Sequence, residues 1–397
     1  GIGHLTPRID RRAMLAQQQG LVSRLRQAKY EDILHRHPEI RLVKGRARFR
    51  DARTLEVDTG KGKPEKIEAD AILLATGSRA FIPDIPGLAE TPYWTSTEAL
   101  AAAEIPGHLI VLGGSVVAVE LAQAWRRLGP EVTMLVRSRL LSREDEALGE
   151  GLRQVFEEEG IRVMTGTLPE AVEHHEGQFT VRVAGESLHA DRLLVAAGRR
   201  PNTESLVLEN AAIAIDEHGA ILVDEHLRTS QPHVYAAGDC THLPQYVYVA
   251  AAAGTRAAIN MMGGEATLDL SVLPRVVFTD PQVAAVGITE AEALARDRAV
   301  ESRTLELAHV PRALAAFDTR GFIKLVAEAE SGRLLGAQVL AREGGEIIQT
   351  AAFAIGQGMT VREIADHLFP YLTLSEGLKL CAQTFDKDVT ELSCCAG

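Results

Sequence analysis

One segment, Leu109 to Val136, limits the fold of this 397-residue chain more than any other. It reads as an apolar strand (Leu109–Leu112), a Gly113-Gly114-Ser115 turn, a Val- and Ala-rich helix (Val116–Leu128) and a second apolar strand (Val132–Val136). That order and length describe a βαβ unit, the building block of a doubly wound α/β sheet. Dinucleotide sites need small residues at such a turn: one for the bend, one for close backbone approach, one for helix-on-strand packing. Gly113 and Ala118 fill the first and third positions, and Ser115 stands where the second glycine is usual. The segment therefore reads either as a nucleotide cradle, with the helix N-terminus facing phosphate, or as an ordinary tight strand–helix junction.

The end of the second strand bears on the choice of nucleotide. An NAD site normally places an acid there for the ribose 2′-hydroxyl. This chain has Val136-Arg137, with Arg139 and Arg143 close behind. Guanidinium groups suit a 2′-phosphate, so the pattern favours NADPH; solvated surface arginines are the plainer alternative.

A chain this long exceeds one ordinary core, and two or three domains are expected. Its 46% apolar and 24% charged content is that of a globular protein, and its net charge of -12 argues against nucleic acid or an anionic membrane as partner. The longest apolar run, Leu109–Trp125, contains two glycines and Glu120, which excludes a membrane span. The four cysteines, Cys240, Cys381, Cys394 and Cys395, do not form a disulfide framework, which points to a reducing cytoplasm.

Around the central unit, Asp10 is a candidate N-cap for a helix with Met14, Leu21, Leu25 and Ala28 on one face. Strands are expected at Arg41–Lys44, Ala47–Arg50, Thr54–Val57 and Ala71–Ala75, then at Arg192–Ala196 and Val234–Ala237, with a helix at Val249–Met261. Phe322–Ala329 and Leu334–Leu340 flank Ser331-Gly332 as a hairpin, and helices follow at Gly345–Ile355, Val361–Leu368 and Ser375–Phe385. Strands then helices suggest a C-terminal α+β domain.

The adjacent thiols Cys394-Cys395 are poorly placed to bridge each other but well placed to hold one soft metal ion as two thiolates. Incidental cysteines at a frayed end are the alternative. Asp239, after a strand ending in Gly238, can bind a ligand hydroxyl or cap a helix. Cys240 and Cys381 read as packing residues.

Three motifs carry a resemblance: Ala75-Thr76-Gly77; Gly198-Arg199-Arg200-Pro201-Asn202; and Thr229 through Tyr235-Ala236-Ala237-Gly238-Asp239. With the central unit they resemble the flavin-dependent disulfide oxidoreductases. Further segments make the chain similar, within that family, to the mercuric reductases: Ala28-Lys29-Tyr30-Glu31, Tyr93 to Leu100, Val247 to Ala250, Leu368-Phe369-Pro370-Tyr371, and the terminal Ser393-Cys394-Cys395-Ala396-Gly397. One departure is informative. Disulfide reductases carry His-Pro-x-x-x-Glu near the C-terminus, and here Tyr371 stands for the histidine ahead of Glu376. A phenol with a pKa of about 10 does not shuttle protons near neutrality.

The resemblance implies two Rossmann-like nucleotide-binding domains, the FAD one incomplete, plus a C-terminal α+β dimerisation domain. The boundaries expected are 1–100 for FAD, 101–227 for NADPH, 228–270 for the returning FAD segment and 271–397 for dimerisation. It implies FAD and NADPH as cofactors, a homodimer, and a thiolate-bound Hg(II) substrate reduced to Hg(0). Thr76, Gly77, Gly198, Gly238 and Asp239 would serve FAD, with Asp239 on the ribityl chain. Gly113, Ser115, Ala118, Glu120, Arg137 and Arg143 would serve NADPH, with Glu120 near the nicotinamide. Cys394 and Cys395 would capture the metal, flanked by Tyr30 and Tyr371, and Glu376, in the place of the dyad's glutamate, would be a further catalytic residue. A disulfide reductase of the same family, and a non-catalytic NADPH-binding dimer with a metal-sequestering tail, are the alternatives. The family also has an earlier Gly-rich unit and a Cys-x-x-x-x-Cys pair. Neither occurs here, and the chain opens with Gly1-Ile2-Gly3. The expectation is an N-terminally incomplete chain, poor in FAD binding and inactive by itself.

Overall fold

A computed structural model describes residues 8–389, which divide into two compact units. The first joins residues 8–81, 101–104 and 198–269; the second joins 82–100, 105–197 and 270–389.

The first unit opens with the helix Arg11–Arg26, capped by Asp10, whose carboxylate accepts from Ala13 N at 3.0 Å. Such a cap is worth about 1 kcal/mol. The expected apolar face forms but is not covered: Met14, Leu21 and Leu25 stay 44–49% exposed, and no residue of the helix is buried. A π-helical turn, Gln27–Glu31, carries Tyr30 before the chain resumes as the helix Asp32–Arg36.

Strands Arg46–Phe49, Thr54–Asp58 and Glu65–Glu68 form an antiparallel sheet. No strand forms at 41–44. The partner strand ends at Asp58, opposite Arg46, so the residues before Gly45 run past its end and find no ladder. The sheet's third strand, Glu65–Glu68, gave no sequence signal because its four residues are mostly charged. Ile72–Leu74 pairs in parallel with Val234–Ala236, and the short strand Ser78–Ala80 pairs with Arg199–Pro201. Phe49, Ile72, Leu74, Leu208, Ile221 and Val234 make one core, so residues 198–227 pack here. The helix Val247–Met261 buries Ala253 and Ala257 against Tyr235 and Leu227.

The second unit holds a four-stranded parallel sheet in the order Arg192–Val195, His108–Leu112, Glu131–Val136, Ile161–Thr165. Helix Val116–Leu128 connects its two central strands and buries Ala118, Val119, Ala122 and Trp125. Residues 82–100 belong to this unit through Trp94, whose N–H donates to Leu193 O and whose carbonyl accepts from Val195 N, each at 2.7 Å. A five-stranded antiparallel sheet follows, ordered Arg275–Val277, Gln282–Gly287, Leu334–Ala341, Phe322–Glu328, Val300–Glu306. The expected hairpin is its centre. Helices Gly344–Gly356, Val361–Asp366 and Glu376–Gln383 cover one face around Ile347, Ile348, Ile364 and Leu378. The two sheets of this unit are latched by ion pairs: Arg275 to Glu144 at 2.9 Å and Lys324 to the buried Asp145 at 3.0 Å. Among the described residues no helix is long and apolar enough to cross a membrane.

Candidate active site

In the second unit the turn after His108–Leu112 is shaped by contact distance. Gly113 has φ +131°, and a Cβ there would lie 2.2 Å from Ala196 O. At Gly114 a Cβ would lie 2.5 Å from a methyl of Val136. Only glycine fits the first position. Ala118 packs where Gly113 leaves room, fully buried. Ser115 is the helix N-cap in extended conformation, and its hydroxyl makes no capping bond. The first amides of Val116–Leu128 therefore keep their hydrogen-bonding capacity, and the helix dipole adds positive potential. This arrangement fits a pyrophosphate.

Arg137 and Arg143 are exposed beyond the carboxyl end of the second strand, without a hydrogen bond or ion pair among the described residues. Arg139 differs: its guanidinium donates to the carbonyls of Leu141, Ser142 and Glu144, at 3.4, 3.2 and 2.9 Å, and staples the loop. Glu120 lies further along the nucleotide helix. Its Oε1 accepts from Phe278 N at 2.8 Å. Burial pushes its carboxyl above the ordinary range, and the Phe278 amide works against that shift.

In the first unit the three quoted motifs meet at the carboxyl ends of the parallel pair Ile72–Leu74 and Val234–Ala236. Ser78 Oγ donates to Asp239 Oδ2 at 2.8 Å and accepts from Arg199 Nε at 2.7 Å. Asn202 donates twice: its N–H to Gly77 O at 2.9 Å and its side chain to Thr76 O at 3.0 Å. Gly77 and Gly238 have φ +67° and +79°; beside Gly77 nothing lies within 4 Å of a Cβ. Gly198, at φ +138°, leads into the strand that carries Arg199. Asp239 does not cap the following helix, which begins at Val247 with Tyr246 as N-cap. Its second carboxylate oxygen has no hydrogen bond among the described residues. Open space, a free acceptor and a strand-end position fit a hydroxylated chain such as the ribityl arm of FAD.

Tyr371 lies in a turn of the second unit and is 58% exposed. Glu376, 7% exposed, accepts from Leu372 N at 3.2 Å. Leu372 has φ +62°, so this buried carboxylate steadies a strained turn and thereby presents the phenol. Tyr30, in the first unit, is 68% exposed on its π turn; π-helical turns often occur at functional sites.

Cys240 and Cys381 are both buried. The Cys240 thiol donates to Ala237 O at 3.4 Å, and that of Cys381 to Ile323 O at 3.3 Å. Burial pushes the Cys381 thiol up to about 12. Cys394 and Cys395 lie outside the described residues.

Sequence reasoning missed Gln123. It is a polar residue 3% exposed within the apolar face of the nucleotide helix, and both ends of its amide bond to Asp280. The signal was there: a glutamine between Ala122 and Ala124, three residues after Glu120.

The sequence matches the pyridine nucleotide-disulphide oxidoreductase family over residues 6–254, and that family's dimerisation domain over residues 273–382. It is 56% identical to a mercuric reductase of Shewanella putrefaciens over 397 residues, covering 100% of this chain and 71% of the relative. It is 57% identical to one of Shigella flexneri, covering 100% of this chain and 71% of that relative. The HOCl-induced flavoprotein disulfide reductase RclA from Escherichia coli superimposes with a TM-score of 0.87 at 31% identity, over 96% of this chain and 87% of the other.

Proposed function

The chain belongs to the pyridine nucleotide-disulphide oxidoreductase family, whose members work with FAD and NADPH, and from that premise we propose that it serves the reduction of thiolate-bound Hg(II) to Hg(0). The two dinucleotides supply electrons in pairs when bound. Gly113, Ser115 and Ala118 form the cradle for the NADPH pyrophosphate, Arg137 and Arg143 hold its 2′-phosphate, and Glu120 lies towards its nicotinamide. Thr76, Gly77, Gly198, Gly238 and Asp239 hold FAD, with Asp239 accepting from ribityl hydroxyls. We assign 271–397 to dimerisation, which makes a homodimer the working form.

The observation that carries this reading is the pattern of thiols. Two cysteines are sealed against backbone carbonyls. The other two are adjacent, Cys394-Cys395, in a sequence more than half identical to mercuric reductases. As thiolates they take Hg(II) from its incoming thiol ligands by exchange: two S–Hg bonds form, two break, and no free ion is released. Reduction of a mercury bis-thiolate consumes two electrons and two protons and yields Hg(0) and two thiols. Tyr30 and Tyr371 are exposed phenols, each able to donate a hydrogen bond to a metal-bound sulfur. Glu376 holds the turn that presents Tyr371. No Cys-x-x-x-x-Cys pair occurs among the four cysteines, so these residues are assigned nucleotide binding and metal capture.

A second reading, a reductase of small disulfides, is favoured by the likeness to RclA. Tyr371 speaks against it, since a disulfide reductase needs a group that titrates near neutrality to protonate the leaving thiol. Titration with Hg(II), followed by the ultraviolet absorption of mercury thiolates, separates the readings. The chain is expected to hold Hg(II) as a bis-thiolate that Cys394→Ser/Cys395→Ser abolishes. Identical titrations of the two proteins would leave the vicinal pair without a role.

A further inference from the structure

One stripe of the nucleotide helix is spent on gripping a segment of the C-terminal sheet. Glu120, Gln123 and Arg127 follow one another at helical spacing on Val116–Leu128. Glu120 Oε1 accepts from Phe278 N at 2.8 Å. Gln123 Oε1 accepts from Asp280 N at 2.8 Å, while its Nε2 donates to Asp280 O at 2.7 Å. Arg127 closes the series on Asp280 Oδ2 at 2.8 Å and also binds Glu159. The side chains treat residues 278–280 much as a neighbouring strand would, using alternate backbone amides.

The three members differ in exposure. Arg127 is 43% exposed in its side chain and its ion pair is screened by water. Gln123 is 3% exposed, and both its polar atoms are committed. A buried amide satisfied at both ends fixes geometry more strictly than a surface ion pair, because each lost bond leaves an unpaired group. Glu120 uses one oxygen on Phe278, which leaves Oε2 without a hydrogen bond among the described residues.

We infer that Gln123 is a positioning residue of the nucleotide site: by holding Asp280 it sets the place of the Phe278 amide, which in turn orients the Glu120 carboxylate. This rests on the reading of Glu120 as a nucleotide-side residue. A purely structural role for Gln123 would tie the sheets together without affecting how the nucleotide binds.

The test measures NADPH affinity and amide hydrogen exchange in the 397-residue chain. Gln123→Met keeps the side-chain length and removes both bonds to Asp280, together with the bond that Gln123 Nε2 donates to Glu159 Oε1 at 3.1 Å. It should speed exchange at the Phe278 and Asp280 amides and weaken NADPH binding about fivefold, the scale of one hydrogen bond. Gln123→Leu, of similar volume, removes the same bonds and carries the test if the methionine variant does not fold. Faster exchange with unchanged NADPH affinity overturns the inference, as does unchanged exchange. Glu120→Gln keeps an acceptor for Phe278 and removes the charge. If it leaves NADPH affinity untouched, the reading of Glu120 fails, and that failure is distinct from failure of the inference about Gln123.

Discussion

The two glycine-lined corners of this protein are built in different ways. The cradle at Gly113 comes from nearly contiguous sequence, and its shape follows from contact distances: a Cβ at Gly113 would meet Ala196 O at 2.2 Å. The corner at Asp239 is assembled from three distant segments, and polar bonds hold it together: Ser78 with Arg199 and Asp239, and Asn202 with the carbonyls of Thr76 and Gly77. A sterically set site fails abruptly when one atom is added. A hydrogen-bonded site should fail by degrees, as one partner after another is removed.

Substitutions can break or sharpen that contrast. Gly113→Val should have the largest effect, costing about 3 kcal/mol or more, because it combines a backbone clash with a φ that β-branched residues avoid. Denaturant unfolding and NADPH titration measure it; retained NADPH binding at wild-type stability would mean the turn is not sterically set. Asp239→Ala should cost roughly 1–3 kcal/mol by removing the acceptor of the Ser78 hydroxyl and the carboxylate beside Arg199. It should reduce FAD retention and leave NADPH affinity alone, and a loss of both would show that the corners are not independent. Arg137→Ala with Arg143→Ala should weaken NADPH by roughly tenfold, about 1.4 kcal/mol, with NADH affinity and stability unchanged. Equal losses for both nucleotides would remove the 2′-phosphate assignment. Ser78→Ala should be mildest, about 1 kcal/mol, since Asp239 keeps Arg199 nearby at 3.7 Å. An effect larger than that of Asp239→Ala would reverse the order of the polar corner.

The same contrast accounts for what could be read in the sequence. The βαβ unit was legible almost to the residue, because strand, glycine turn and helix periodicity are local: the strands observed are His108–Leu112 and Glu131–Val136. The C-terminal hairpin was legible for the same reason. The Asp239 corner could be assembled only through motifs known from relatives, since nothing at Thr76, Asn202 or Asp239 alone announces the others. Gln123 escaped because its partners, the backbone of Asp280 157 positions away and the Glu159 carboxylate 36 positions away, are distant in sequence. Arg139 resembled Arg137 and Arg143 in sequence, yet three nearby carbonyls absorb it. The helix Arg11–Arg26 shows the limit from the other side: periodicity and Asp10 foretold the helix, but not that its apolar face would stay open.

The central claim joins a two-electron nucleotide scaffold to mercury capture by Cys394 and Cys395. Volatile Hg(0) released by the FAD-loaded protein, supplied with the family's Cys-x-x-x-x-Cys pair, from Hg(II) presented on glutathione, with NADPH as the reductant, measures it directly. The account predicts sustained Hg(0) release that falls sharply when both terminal cysteines become serine. Equal release from the serine variant would contradict it.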